Sequence, residues 1–208
     1  MKLPFSYYQN PDVIFLAKDL LGKVLFTEIE GETTAGIIVE TEAYFGAQDK
    51  ASHAYGNRRT NRTETLYNEG GISYVYLCYG IHHLFNVVTS VKDEPHAVLI
   101  RAVEPLIGTE IMEIRRKMPF TKPAVSSGPG SAAKALGIDR SFNKKDLTGE
   151  EIWIEDQGIR YPSDQIAAVP RVGVAYAQED AFLPWRFFVK NNKYVSKPNK
   201  VDSEINFF

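Results

Sequence analysis

The chain has one cysteine among its 208 residues, so no internal disulfide can staple it. Cys78, set in Tyr76-Leu77-Cys78-Tyr79, reads as a small core residue rather than a reactive thiol. That usage fits a reducing compartment. No stretch approaches the roughly 18 uninterrupted apolar residues of a membrane span, and Met1-Lys2-Leu3-Pro4-Phe5-Ser6 lacks the apolar run of a secretory signal. A cytoplasmic protein with no membrane partner is expected. His-x-x-x-His, His-x-x-Glu and cysteine-rich spacings are missing too, which sets aside a metal centre built from His53, Glu42 and the pair His82-His83. Repeats, low-complexity tracts and linkers are absent, so one domain is expected over 1–208.

What is present suits a packed globular unit: 44% of residues are hydrophobic and 12% aromatic, enough for one substantial core. The formal net charge of −2 argues weakly against a polyanionic partner, but the placement of charge matters more than its sum. Arg58, Arg59 and Arg62 lie close together, and Arg115, Arg116, Lys117, Lys122, Lys134, Arg140, Lys144 and Lys145 follow. Glu150, Glu151, Glu155 and Asp156 gather after them. One basic and one acidic face are expected, with an ordinary solvated surface as the plainer alternative.

Residues 13–22 read as an opening helix, with Asn10 as its cap, Pro11 in its first turn and Gly22 at its end. Strands are expected over 23–29 and 34–44, joined at Glu30-Gly31-Glu32. The polar stretch 47–71 lacks periodicity and reads as a long loop with one short helical turn. Strands rich in Val, Ile, Tyr and Phe follow over 72–79, 83–90 and 97–103, then helices over 105–117 and 131–136. Later strands are expected over 152–155, 171–175 and 186–189. The fold class is α+β: a mostly antiparallel curved sheet with flanking helices and a protruding β-hairpin.

Chemistry concentrates on a few segments. In Val39-Glu40-Thr41-Glu42-Ala43-Tyr44, strand alternation puts Glu40, Glu42 and Tyr44 on one face. Either this is an edge strand with a solvated acidic face, or two carboxylates beside a ring are a general base and its platform. Tyr74, Tyr76 and Tyr79 precede Gly80, which lets the chain turn sharply and present Tyr79 at a hairpin tip. There a ring can wedge between bases, while Tyr76 stacks on one taken out of the helix; core packing is the plainer reading. His53 sits in the polar loop, Asn86 and Arg101 interrupt otherwise apolar strands, and Arg101 can pair with Glu40 or Glu42. Ser126-Ser127-Gly128-Pro129-Gly130-Ser131 reads as a turn feeding a helix start, open to a phosphate or serving as a plain cap.

In order and spacing, these segments, with Leu99-Ile100-Arg101-Ala102-Val103-Glu104-Pro105 and Pro170-Arg171-Val172-Gly173-Val174, resemble the alkyladenine type of 3-methyladenine DNA glycosylase in its bacterial form. The resemblance implies Glu42 as the base that activates water and Arg101 as its helper. It implies Tyr44 and Tyr76 as walls around a flipped base, His53 at the pocket edge, and Asn86 against the exocyclic amine of guanine. Tyr79 would be the wedge, and Arg58, Thr60, Ser127 and Gly128 would hold phosphates. Ile81, His82 and His83 depart from the larger apolar and aromatic residues often found beside that wedge. A monomer acting without cofactor on double-stranded DNA that contains damaged purines, close to the nucleoid, is the corresponding expectation. A glycosidase using Glu40 and Glu42 as an acid–base pair, or a non-catalytic nucleic-acid-binding module, are the rival readings.

Overall fold

The computed structural model describes residues 1–197, and the last part of the domain expected over 1–208 lies outside the described residues. Eight strands form one antiparallel sheet: β1 (Val24–Ile29), β2 (Glu32–Tyr44), β3 (Ser73–Cys78), β4 (His82–Thr89), β5 (His96–Ile107), β6 (Ile152–Glu155), β7 (Ile166–Val169) and β8 (Arg186–Val189). The main path runs β3-β4-β5-β2-β1-β6, with β8 joining β2 and β7 joining β8. The helices are α1 (Phe5–Tyr8), α2 (Val13–Asp19), α3 (Thr109–Arg116) and α4 (Pro129–Ala135). The expected α+β class, with its curled antiparallel sheet and hairpin, is what the chain adopts.

The acidic strand is not an edge. β2 is long enough to take β1 along its first half and β8 along part of its second, with β5 on the other side from Ala35 to Tyr44. Glu40, Thr41 and Glu42 are therefore bonded to strands on both sides, and both carboxylates have no exposed surface. The solvated-face reading fails for that reason. Register slips on either side of Glu40, a bulge that strengthens local twist and re-aims side chains near a site. Between the sheet and α2 lies the core: Leu16, Ala17 and Leu20 meet Ile38, Val39 and Ile100 there, each large side chain contributing about 1.5–3 kcal/mol by its burial.

Several boundaries differ from the sequence expectations, each for a local reason. The cap of α2 is Asp12, whose side chain accepts from the Phe15 amide, while Asn10 instead accepts from the Asp12 amide one turn earlier. The helix expected from residue 105 starts at Thr109, because β5 continues through Ile107 and Gly108 then breaks it with φ +65°. Residues 171–175 are not a strand. Alternating Val172 and Val174 suggested one, but the Val172 amide is committed to a side chain, and the added strand is β7 just before it. The polar loop holds three short 3-10 turns instead of one. Cys78 is only partly buried, since it sits next to the hairpin tip instead of in the core.

Candidate active site

β3 and β4 form the protruding hairpin, closed by an Ile81 N–H to Cys78 carbonyl bond of 3.2 Å. Gly80 (φ +73°) supplies the turn as expected, but Tyr79 also adopts left-handed backbone (φ +50°), which costs a bulky residue of order 1 kcal/mol. Its ring is 89% exposed. An aromatic held out in strained backbone at a tip cannot be explained by packing.

At the foot of the hairpin opens a cleft of about 600 Å³. It brings together Glu42, Tyr44, His53, Tyr76, Tyr79 and Arg101 from β2, the polar loop, β3, the tip and β5. Gly128 lines its rim, whereas Ser127 is bridged to Ala102 and stands outside the lining. Asn86 faces a smaller inner recess shared with Tyr44, His53 and Tyr76, held there by a 3.1 Å bond from its amide to the Tyr74 carbonyl. Arg58 and Thr60 line an adjoining recess that shares His53 and Arg62 with the cleft.

Glu42 has two hydrogen-bond donors and an ion-pair partner. Its Oε1 accepts from the Val172 amide at 2.8 Å and lies 3.1 Å from Arg101 Nη1. Its Oε2 accepts from the Tyr44 hydroxyl at 2.7 Å. A carboxylate offers about four lone-pair sites, so one on Oε2 is left for a molecule in the cleft. Burial and the Glu42 charge push the Tyr44 phenol well above its ordinary range, which keeps it a donor. Glu40, by contrast, is absent from the cleft lining and accepts from Arg101, Arg186 and twice from Ser196. It has no role as an acid partner, and a two-carboxylate glycosidase loses its second group.

The aromatic walls are fixed from outside. The Arg171 guanidinium lies 4.8 Å over the Tyr44 ring and 5.1 Å over Trp185, and it is itself anchored on Asp49 and the Ala43 carbonyl. Arg62 lies 4.9 Å over Tyr76. His53 meets the Tyr76 ring edge-on at 4.7 Å and its Nδ1 is 3.0 Å from the Tyr74 hydroxyl. Burial, followed by the charges of Arg62 and Arg58, lowers the His53 imidazole to about 4, so it is neutral near pH 7. One ring nitrogen then donates and the other accepts. Among the described residues no group of three His, Cys, Asp or Glu stands close enough to hold a metal ion, and no helix is long and apolar enough to cross a membrane.

The sequence reading missed the Val172 amide, the Arg171–Asp49 pair and Tyr176, which lines the cleft and both smaller recesses. A backbone donor has no side-chain signature. Arg171 and Asp49 stand 122 positions apart, so no spacing announces them.

Tyrosine walls around a buried carboxylate have the shape and chemistry to take a flat ring, which marks a ligand-handling class of protein. The sequence comparisons narrow that class. The profile of the family described as Methylpurine-DNA glycosylase (MPG) matches residues 6–193. A protein of Chlamydia felis, provisionally named 3-methyladenine DNA glycosylase, is 49% identical over 193 residues, covering 92% of this chain and 97% of its own. One of the same provisional name from Clostridium perfringens is 46% identical over 205 residues, covering 95% of this chain and all of its own. The chain belongs to the methylpurine-DNA glycosylase family and is a hydrolase of N-glycosyl bonds, an enzyme of DNA base-excision repair.

Proposed function

We propose that the chain extrudes alkylated or deaminated purines from duplex DNA and hydrolyses the N-glycosidic bond with a water that Glu42 activates. The substrates are the class of 3-methyladenine, 7-methylguanine, hypoxanthine and ethenoadenine. The observation that carries this is a buried carboxylate that lines an aromatic cleft and whose Oε2 accepts one hydrogen bond among the described residues. A water there can lose its proton to Glu42 as it attacks the sugar carbon, while the purine leaves with the bonding electrons. Glu42 also offsets the positive charge that develops on the sugar. 3-Methyladenine and 7-methylguanine are already cationic and leave readily without a strong acid, whereas neutral hypoxanthine and ethenoadenine take up a proton from solvent as they leave.

Tyr44 and Tyr76 serve as stacking walls, worth roughly 1–3 kcal/mol per base, against the few kcal/mol of extrusion. His53 reads the base edge as a neutral imidazole, and Asn86 stands in the inner recess where the exocyclic amine of guanine would collide. Tyr79 fills the vacated stack, and Arg58, Thr60, Ser127 and Gly128 hold phosphates of the damaged strand. The enzyme works as a monomer without a cofactor.

The decisive measurement is Glu42→Gln: release of the base is lost while binding to lesion-bearing duplex persists. Retained release would sink the proposal, and a wild-type chain that binds but never releases would make it a binding module. Among the described residues no lysine lines the cleft, so borohydride should trap no covalent DNA adduct.

A further inference from the structure

On the far side of the hairpin lies a second recess, of about 490 Å³, that base release does not use. Ile81, His82 and His83 enter it from the hairpin, Arg115 from α3 and Lys134 from α4. It shares His82 and Gly130 with the front cleft, so these two residues form the wall between them. The wall is tight: a Cβ on Gly130 would lie 2.8 Å from Cγ of His82. Ile81 is 72% exposed beside it, three residues from a strand end and two from Tyr79.

The charges of this recess are not paired with acids among the described residues. Lys134 is exposed, and its ammonium makes no hydrogen bond or ion pair there. Arg115 donates from Nη1 to the Thr34 hydroxyl and the Ala135 carbonyl, and meets no carboxylate among the described residues. The one carboxylate in the lining, Asp139, accepts from the Ser141 amide and hydroxyl instead. Elsewhere in the molecule Lys23, Lys50, Arg59, Arg101, Arg160 and Arg171 are each tied to a carboxylate. Two cations without an acid, over an apolar floor that includes Ile29 and Ile138, suit a polyanion with apolar edges.

We infer that this recess holds the sugar–phosphate backbone of the undamaged strand, with Lys134 and Arg115 on phosphates and Ile81 and His82 along the groove edge. The inference rests on the glycosylase reading of the front cleft. A wedge that enters a duplex has one strand on each side of it. The strand that gives up its base faces the cleft, so the strand that stays stacked passes behind His82. Such contacts position the duplex and carry no sequence information, in keeping with a repair enzyme that meets lesions in any context.

The test measures binding of the intact protein to a duplex containing ethenoadenine and to the same damaged strand alone, across a range of salt. For Lys134→Gln the slope of log affinity against log salt should shrink by about one on the duplex, and Lys134→Glu should shrink it further. His82→Ala should weaken duplex binding with little change in slope. The damaged strand alone should be bound as tightly by each variant as by the wild type. An unchanged duplex slope, or equal losses on duplex and single strand, would overturn the inference. Failure of the glycosylase reading is seen separately, as absence of base release by the wild type, and leaves the slopes to decide the recess.

Discussion

Glu40 and Glu42 stand two residues apart on one strand, both fully buried and both touching Arg101, yet their surroundings divide them. Away from the cleft lining, Glu40 is enclosed by two guanidinium groups and by the amide and hydroxyl of Ser196. Glu42 has Arg101, one amide and one phenol, and faces the cleft. Residue type and burial are the same in the two places; the difference is that Glu42 lines the cleft and Glu40 does not. A carboxylate enclosed by donors away from any cavity is structure, whereas one that faces a cavity is available for chemistry. Arg101 belongs to both regions, which makes Glu40 the anchor that fixes the arginine for Glu42.

The sharpest way to break this contrast is to exchange the two substitutions. Glu42→Gln should reduce base release by about 10²–10⁴-fold, the usual contribution of a general base, with a smaller fall in urea midpoint than Glu40→Gln, since Glu42 pairs with one guanidinium group and Glu40 with two. Glu40→Gln should do the reverse. It leaves Arg101 and Arg186 without their shared buried counter-charge, a loss of about 3–5 kcal/mol, read as a lower midpoint in urea. If Glu40→Gln instead kept its stability and abolished release, the division between anchor and base would be wrong.

A finer probe stays within the front region. Tyr44→Phe keeps the ring that Arg171 covers but removes the hydroxyl donor to Glu42 Oε2. A hydrogen bond to a charged group is worth about 1.5–3 kcal/mol, so release should fall about 10- to 100-fold while lesion binding, which depends on the ring, holds. Equal losses in binding and release would show that the hydroxyl serves the base and not the carboxylate.

How much of this contrast could be read in the sequence differs between the two regions. The alternation of Glu40, Glu42 and Tyr44 and the Tyr-Gly tip were legible, because strand period and turn chemistry are local. So was the sheet class, from its Val-, Ile- and Tyr-rich segments. The division between the glutamates was not, because Ser196, Arg186 and the Val172 amide come from segments more than a hundred positions away. The same limit misplaced residues 171–175: their valine alternation fits a strand, but tertiary structure uses the backbone otherwise. At Pro105-Leu106-Ile107 the reverse happened, where an apolar run read as a helix start is the end of β5. Tyr79's left-handed backbone carried no signal, since a tyrosine is a poor choice for it on local grounds alone.

The smallest expected effect lies at the cleft edge and separates front from back by pH. His53 is held neutral down to about 4 by burial and by Arg62 and Arg58, while in the unfolded chain it titrates near its ordinary 6.5. The unfolded state therefore binds more protons between those two values, and stability rises with pH across them. The stability from a neutral His53 is full above about 6.5 and is lost as pH falls towards 4. Solvent reaches part of the ring, so the loss at pH 5 is about 1 kcal/mol. His53→Gln should flatten that portion of the stability curve, measured as urea midpoints from pH 7 to pH 4.5. Since the Gln side chain does not titrate, the acid sensitivity that remains belongs to other groups, among them His96, which burial also lowers.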